Sequence, residues 1–249
     1  MKRILSLVAV TFVVLLGVRA FAQTPAPSVQ LPTVDQVLDK FVTAIGGKPA
    51  LEKHTSRVSK GTLDSPDAPI SGTVEVSEKA PNKNLTVINI PAIGIVRDGT
   101  DGTISWEDDP TTGLREKTGT DLADSLRDAI FNSEIKMKDM YPTIAVTGRE
   151  TVGGKPAFVV LGTPKTGTPT RYWFDADSGL MIRQQFTRDT PQGPIEVNVF
   201  LEDYREVDGV KTPFLIRQVT PIFTMIFHLG DIKYNVALDD AIFKKPGLR

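Results

Sequence analysis

The chain has 249 residues, with 29 Lys and Arg against 30 Asp and Glu for a formal charge of −1, and it has no Cys. The lack of Cys excludes disulfides, thiolate metal sites, covalent c-type haem and cysteine nucleophiles. The slightly acidic balance disfavours nucleic acid as a partner, and a chain of this length must be stabilised by a packed core, in one β-rich domain or two smaller ones.

The N-terminus has the pattern of a secretory signal peptide. Lys2 and Arg3 precede the apolar run Ile4–Val18, and Ala20-Phe21-Ala22 is a small-x-small cleavage site. The run is shorter than the about 18 residues of a membrane span, so an uncleaved anchor is the less favoured alternative. Residues 1–22 are therefore predicted to be cleaved after Ala22, which places the protein in the periplasm. No Cys follows to carry a lipid anchor, so the exported protein is predicted to be soluble.

The segment after the signal peptide predicts a tether followed by helices. Residues 23–32, QTPAPSVQLP, are Pro-rich and aperiodic, so the folded domain is predicted over residues 33–249. Thr33 and Gln36 have the spacing of a capping box, and the helix after them is predicted to end at Gly46-Gly47. Pro49 favours a second short helix that ends near His54. The apolar positions at helical spacing in the first helix are Val37, Leu38, Phe41, Val42 and Ile45.

The rest of the chain is mostly β-rich. Short runs such as GTVEVSE and NLTVINI alternate with Pro, Gly and Asp clusters, which predicts antiparallel strands. The Asp-Gly pairs in RDGTDGTISW predict a turn before Trp106. A further amphipathic helix is predicted from Asp121, with Thr120 as its cap. Successive hairpins follow to the C-terminus, so the predicted fold class is α+β, a β-meander with two or three helices.

An acidic pair lies in the segment YWFDADSGLMIRQQF. Asp175 and Asp177 precede Gly179, as at the start of a calcium loop, but the further oxygen ligands and the terminal Glu of such a loop are missing. Asp and Gly are also the residues that a tight hairpin needs. The segment is therefore predicted to be a plain turn, and no metal site is predicted.

Candidate catalytic groups are few. His54 falls at a predicted helix end and His228 in an apolar strand, so they are interpreted as a helix-end residue and a satisfied core or cavity residue. The carboxylates of EDDP, Glu107–Pro110, could serve a hydrolase if one were desolvated, but a solvated turn is favoured. The sequence has no phosphate loop, nucleophile elbow or dinucleotide fingerprint. We therefore predict no catalytic residue, no cofactor and no enzymatic activity.

Two C-terminal segments are apolar on both faces. In IEVNVFLEDY the aliphatic residues from Ile195 to Leu201 share one face, whereas Phe200 and Tyr204 are predicted on the other. In IFTMIF, Phe223, Met225 and Phe227 oppose two isoleucines. Such strands occur where helices cover one face and something else covers the other, or where the strand curls into a barrel. The covering group is a ligand in one interpretation and an ordinary closed core in the other.

The sequence resembles the periplasmic proteins related to the lipoprotein carriers LolA and LolB. The resemblance rests on the opening VDQVLDKFVTAIGGKPALEKHTSRVSKGTL, the hairpins YWFDADSGLMIRQ and LEDYREVDGVKTPFLIRQ, and the closing NVALDDAIFKKP. It covers about Val34 to Pro246. Similar domains accompany some multihaem cytochrome subunits, but the lack of Cys excludes haem attachment here, as it excludes the lipid anchor of LolB. No single position matches the arginine that latches the lid of the lipoprotein carrier.

The resemblance implies a strongly curved antiparallel sheet, an open half-barrel, with two or three helices as a lid on its concave face. In such carriers the cavity accepts acyl chains. The resemblance therefore implies a periplasmic carrier that binds and releases the acyl chains of a lipid or lipoprotein, with room for transient membrane contact. Seven residues are predicted to line the apolar cavity: Tyr172, Phe174, Phe214, Ile216, Phe223, Met225 and Phe227.

Two other hypotheses remain open at this stage. The first is an interaction module with the same fold and a filled cavity, which contacts an envelope protein through its sheet edge or its lid. The second is a hydrolase that uses the carboxylates next to Trp106.

Overall fold

The structure, a computed structural model, describes residues 30–190 and 193–247. The predicted signal peptide and most of the predicted tether lie outside these residues. No helix in the described part of the chain is long and apolar enough to cross a membrane.

The first helix begins as the sequence predicts. The hydroxyl of Thr33 accepts a hydrogen bond from the backbone N–H of Gln36 at 3.2 Å, and the Gln36 side chain accepts one from the Thr33 N–H at 2.9 Å. This reciprocal capping box satisfies two N–H groups that the helix itself leaves unpaired. The helices are α1 (Val34–Ala44), α2 (Lys48–Leu51), α3 (Gly119–Asp128) and α4 (Met137–Met140), with 3₁₀ turns at Ser133–Ile135 and Asp240–Phe243.

The predicted start of α3 is wrong by two residues. Thr118, rather than Thr120, is the N-cap residue, and its side chain makes no capping hydrogen bond. Thr118 has the extended backbone of a cap, with φ −138° and ψ 167°, whereas Thr120 is already inside the helix. The start of α3 was misplaced because Thr118 and Thr120 both precede its acidic first turn, and either could be the cap on sequence alone.

The strands form one antiparallel sheet with a simple order. Strands β1 to β6 form one meander and β7 to β13 a second, and β13 returns to pair with β1, so that β6 and β7 are the two edges and the sheet is open. The strands are β1 (Ser56–Asp64), β2 (Ser71–Lys79), β3 (Lys83–Ile90), β4 (Gly94–Thr100), β5 (Ser105–Asp109), β6 (Gly113–Glu116), β7 (Thr143–Val152), β8 (Lys155–Thr163), β9 (Thr170–Asp175), β10 (Met181–Thr190), β11 (Gly193–Val207), β12 (Val210–Val219) and β13 (Thr224–Tyr234).

The contacts of α3 show that the sheet curves. This ten-residue helix, about 15 Å long, contacts both β5 and β10. In the sheet, β5 and β10 are separated by β4, β3, β2, β1, β13, β12 and β11. Because neighbouring strands are about 4.8 Å apart, β5 and β10 would lie about 38 Å apart if the sheet were flat. The sheet must therefore bend towards α3 from both sides.

Two apolar clusters lie on the same face of the sheet. The first packs α1, α2 and α4 against β8, β9, β10 and β12, and Phe41 and Phe174 lie at its centre with ring centroids 5.1 Å apart. The second joins β1, β2 and β3 to β13, where Leu63 lies directly opposite Phe227. The helices cover the first cluster and leave part of the second one uncovered.

The outer face of β9 to β12 is covered by arginines. Trp173, Arg183, Phe200 and Arg217 lie directly opposite one another on successive strands. The guanidinium of Arg183 lies 4.2 Å from the Trp173 ring centroid, and that of Arg217 lies 4.1 Å from the Phe200 centroid. Cation–π contacts of this kind let the long arginine stems shield aromatic surface while the charge stays hydrated. This row explains why β11 is apolar on its second face without any ligand there.

Candidate functional site

A cavity of about 1090 Å³ lies on the face of the sheet that carries the helices. Its wall comes from strands of both meanders and from α1, α3 and α4. This volume slightly exceeds the range of about 300–1,000 Å³ for typical small-molecule sites. Side chains of the described residues leave this space open.

One half of the cavity is apolar. It includes the side chains of β2, β3 and β13 that alternate towards one face, because a strand turns every second residue to the same side. The cross-strand pairs continue this surface from strand to strand, with Val74 opposite Ile88 and Ile216 opposite Phe227. The apolar residues of this half are Ile70, Val74, Val76, Ile88, Ile90, Val96, Ile216, Phe223, Met225, Phe227 and Leu229.

The other half, nearer to the helices, is polar, and several of its charges are paired. Arg57 of β1 donates two hydrogen bonds to Glu78 of β2, one of them at 2.9 Å from Nη2 to Oε1. Burial alone would lower the pKa of Arg57, but the charge and hydrogen bonds of Glu78 raise it overall, so the guanidinium stays charged. A planar bidentate pair of this type is the strong form of an ion pair.

The cations beside α3 are paired in the same way. Lys117 is nearly buried, and its Nζ donates to Asp98 at 2.6 Å and to Ser125 at 2.9 Å. Arg115 bridges Glu107 of β5 and Asp121 of α3. Asp128 also borders the cavity, with a carboxylate oxygen 3.6 Å from the Arg127 guanidinium, and more than half of its side chain is exposed.

Two tyrosines that line the cavity have neutral hydroxyl groups bonded within the protein. The hydroxyls of Tyr172 and Tyr141 lie 2.6 Å apart, and burial, together with this neighbour, raises the pKa of Tyr172 well above its usual value. Tyr204 donates to the carbonyl of Met181 at 2.7 Å, and its pKa is also raised by burial. Both phenols therefore remain protonated, and their hydrogen bonds to neighbouring groups hold the two rings in the cavity wall.

The structure places the seven predicted cavity residues in three locations. Tyr172, Ile216, Phe223, Met225 and Phe227 line the cavity. Phe174 is 1% exposed in the core under α1, where it borders a separate hollow of about 140 Å³. Phe214 lies beneath the guanidinium of Arg205, 4.7 Å from its ring centroid, and does not border the cavity. That these residues bind a ligand stays a prediction.

The predicted face of Tyr204 is wrong. Tyr204 lines the cavity together with Leu201 rather than opposing it. Asp203, between them, has a positive φ of 50°, which interrupts the alternation of side chains along β11. Phe200 does lie on the outer face, as predicted.

Sequence reasoning missed the N-terminal half of the cavity wall. The alternation of Val74 and Val76 in GTVEVSE was the signal that could have identified it, because both valines point to one face. The Arg57 and Glu78 pair had no comparable signal, since the two residues become neighbours only through the pairing of β1 with β2.

The acidic turn is a plain turn, as predicted. The Asp175 carboxylate accepts hydrogen bonds from the backbone N–H groups of Asp177 at 2.8 Å and Ser178 at 3.0 Å, and Gly179 has a φ of 79°. Its oxygens thus satisfy the turn itself. Among the described residues, no group of three or more His, Asp or Glu side chains is arranged to hold a metal ion.

The two histidines lie in different environments. His54 follows the end of α2, where its backbone N–H donates to the Leu51 carbonyl, as the helix-end interpretation predicts, and its ring is buried against Tyr234 at 4.0 Å between centroids. His228 is about half exposed, with Asp64 3.1 Å away, so the core or cavity interpretation of His228 is wrong. Tyr234 lies about 20 Å along β13 from His228, so the two imidazoles are far apart.

The carboxylates of EDDP belong to a strand rather than a solvated turn. Glu107 pairs with Arg115, Asp108 with Arg97, and Asp109 accepts the N–H groups of the following turn. Each carboxylate therefore has its own partner. Trp106 points to the outer face, where it is 2% exposed and donates to the Phe243 carbonyl at 3.0 Å.

An open, curved antiparallel sheet with a few helices and a cavity on one face defines the class of this fold. Matches to solved structures confirm, for the fold alone, the resemblance to the LolA superfamily that the sequence predicts.

Three solved structures show this likeness. A DUF1329 family protein from Desulfovibrio piger matches with a TM-score of 0.55 and 16% identity over 85% of this chain and 97% of that one. A LolA superfamily protein from Nitrosomonas europaea gives 0.55 and 16% over 86% and 99%. A putative outer membrane lipoprotein-sorting protein domain from Vibrio parahaemolyticus gives 0.54 and 11% over 80% and 93%. The sequence matches no protein-family model and no curated protein.

Proposed function

We propose that this protein is a periplasmic carrier that binds the acyl chains of a lipid or lipoprotein in its cavity and releases them without covalent chemistry. The observation that carries the proposal is the apolar half of the cavity, a surface of aliphatic and aromatic side chains within a space of about 1090 Å³. Each methylene removed from water there contributes about 0.8 kcal/mol, which favours a long hydrocarbon chain over a small polar ligand.

The polar half fits the head of such a ligand. Arg57, Arg115 and Lys117 are each paired with carboxylates of the wall. The cavity wall as a whole carries eight Asp and Glu against five Lys and Arg, which disfavours an anionic head group. The hydroxyl of Tyr172 adds a further polar group. A neutral or zwitterionic head group suits this environment.

The polar attachment of α3 supports its role as part of a lid. Arg127 is its only buried residue, and Asp124 holds Thr168 through hydrogen bonds of 2.8 and 2.7 Å. On the other side, Asp121 and Ser125 contact Arg115 and Lys117. Such bonds can exchange for water when the helix moves, without exposing an apolar core.

The alternatives have less support. The open space of the cavity disfavours an interaction module whose cavity is filled. The separate ion pairs of Glu107 and Asp108 disfavour a hydrolase that uses them together, because each carboxylate is held by its own arginine. We accordingly propose binding and release alone.

The experiment is displacement of a fluorescent fatty acid from residues 23–249. Replacing Met225 and Phe227 together by Asp places two carboxylates in the apolar half and is expected to weaken binding at least about 100-fold, since each charge opposes burial of the chain. The matched control replaces Ile104 and Ile242 by Asp, two exposed positions outside the cavity wall, and should bind as the wild type does.

A second variant covers the case in which the double Asp variant fails to fold. Val76→Trp fills part of the cavity with apolar volume and is expected to shorten the longest fatty acid that binds tightly. If chain-length preference and affinity were unchanged in Val76→Trp, acyl chains would not occupy this cavity and the proposal would be wrong.

A further inference from the structure

Four loops between neighbouring strands lie at the end of the sheet where the cavity is apolar. Each of these loops contributes a residue to the cavity wall, namely Ile70, Ile93, Thr111 and Phe223. We call these four connections the cavity mouth; they are residues 65–70, 91–93, 110–112 and 220–223.

The cavity mouth is almost free of charge. Its sequences are SPDAPI, PAI, PTT and TPIF, so Asp67 is the only ionisable side chain. The carboxylate of Asp67 is itself used inside the protein, where it accepts the backbone N–H of Thr224 at 2.7 Å. No basic side chain of the mouth is available for an acidic partner.

Large apolar side chains project from the mouth. Ile222 is 73% exposed, which is the highest value among the exposed large hydrophobic residues of the described chain, and Ile93 is 44% exposed. Phe223, next to Ile222, is 36% exposed and also lines the cavity. The outer apolar surface is thus continuous with the apolar half of the cavity.

Backbone N–H groups in two of the mouth connections are satisfied within the protein. In the 220–223 connection, Thr220 N–H donates to the Phe223 carbonyl at 3.0 Å, and the Thr220 hydroxyl accepts from the N–H groups of Ile222 and Phe223. Pro221 has no N–H. Asp109 accepts the N–H groups of Thr111 and Thr112 in the same way.

We infer that the cavity mouth docks on a lipid bilayer, with Ile222 and Phe223 entering the boundary between head groups and acyl chains. Backbone N–H groups that are satisfied internally, as in the 220–223 connection, can enter a region poor in water at low cost. The near absence of charge from the four connections removes the desolvation penalty that a charged rim would carry. A protein partner recognised through its charge would need a charged rim around the apolar centre, whereas the one carboxylate of the mouth, Asp67, is used within the protein. This inference deepens the proposed carrier function, because it gives acyl chains a direct path between bilayer and cavity.

The absence of basic residues from the cavity mouth determines how vesicle binding should depend on lipid charge. Binding is expected to be equal on vesicles of phosphatidylcholine alone and on vesicles that contain phosphatidylglycerol, and to be insensitive to salt, because counterion release and screening do not contribute. Docking through basic residues would instead give stronger binding to vesicles that contain phosphatidylglycerol, and salt would weaken that binding.

The test is flotation of residues 23–249 with these two kinds of vesicle. Ile222→Asp is expected to lower the constant for partitioning of the protein onto vesicles about ten-fold, because one buried aliphatic side chain is lost. Ile222→Trp is expected to raise this constant, since Trp favours the membrane interface. The same substitutions at Ile104, an exposed isoleucine at the opposite end of the sheet, should change nothing.

Three results would overturn the inference: no flotation of the wild type with either vesicle, flotation only with phosphatidylglycerol that salt abolishes, or equal effects at Ile222 and Ile104. Fatty-acid binding measured without vesicles separates this test from that of the carrier function. If Ile222→Asp binds fatty acid normally yet floats as the wild type does, the docking surface is wrong and the carrier proposal survives.

Discussion

Gly99 shows how a single residue permits the packing around Trp106. A Cβ atom at this position would lie 2.5 Å from Cζ2 of the Trp106 ring. The ring cannot move away freely, because its Nε1 is bonded to the Phe243 carbonyl and the side chain is buried. The conformation of Gly99 is accessible to any residue, so the constraint is one of space.

We expect Gly99→Ala to lower the free energy of unfolding by about 1–3 kcal/mol through overpacking. Urea denaturation measures this change. Gly148→Ala is the matched control, because Gly148 is also in a strand and no atom lies within 4 Å of its added Cβ. Equal destabilisation by the two substitutions would contradict the account.

The residue scale also shows what local sequence can predict. Thr33 with Gln36, and Asp175 with Gly179, are pairs within one turn, and the structure confirms both. Gly99 with Trp106, and Arg57 with Glu78, meet only across strands, so their roles could not be predicted before the strand register was known.

Among the elements, α1 owes its start to the capping box. Thr33→Ala removes the side chain that accepts the Gln36 N–H, and we expect it to lower the free energy of unfolding by about 1 kcal/mol. Thr43→Ala, the same substitution at an exposed position inside α1, should be neutral or slightly stabilising, because Ala favours a helix. Thermal or urea unfolding of both variants tests this, and a Thr43→Ala effect as large as that of Thr33→Ala would count against the cap.

The C-terminal segment is held to the outer face of the sheet by ion pairs. Asp240 accepts hydrogen bonds from Lys79 at 2.7 Å and Lys83 at 2.6 Å, and these bonds lower its pKa from 3.8 to about 2. A carboxyl with a lowered pKa in the folded state contributes stability above its unfolded pKa, and this stability is lost as the pH falls from about 4 to about 2.

Asp240→Asn should therefore unfold more easily than the wild type above pH ~5, and the difference should vanish near pH 2. Unfolding midpoints of both proteins across this range check the prediction. A difference that stayed constant down to pH 2 would show that Asp240 acts through packing rather than through its charge.

The elements were predicted better than the site. The spacing of the apolar residues and the positions of the turn residues were sufficient to predict α1, β2, β3 and the C-terminal hairpins. The lining of the cavity depends on which face of each strand turns inward. A single residue with a left-handed backbone conformation, Asp203, changed that face for Tyr204. The alternation of side chains along a strand also could not predict that Phe214 lies under Arg205.

For the molecule as a whole, the cavity exists because two meanders share one sheet. Pairing of β1 with β13 joins them, and α3 contacts strands from each. Neither meander alone supplies the full wall, since Val74 and Ile88 belong to the first and Met225 and Phe227 to the second. The open antiparallel sheet was predictable from the order of hairpins and from family resemblance, whereas the paired charges of the polar half required the assembled fold.

The central claim, that the cavity holds acyl chains, is tested most directly by native mass spectrometry of residues 23–249 purified from a bacterial periplasm. The account predicts a bound lipid or acylated peptide in stoichiometric amount, recovered by solvent extraction and absent from the Met225→Asp, Phe227→Asp double variant. Wild-type protein that carries no lipid and takes up none on incubation with lipid would contradict it.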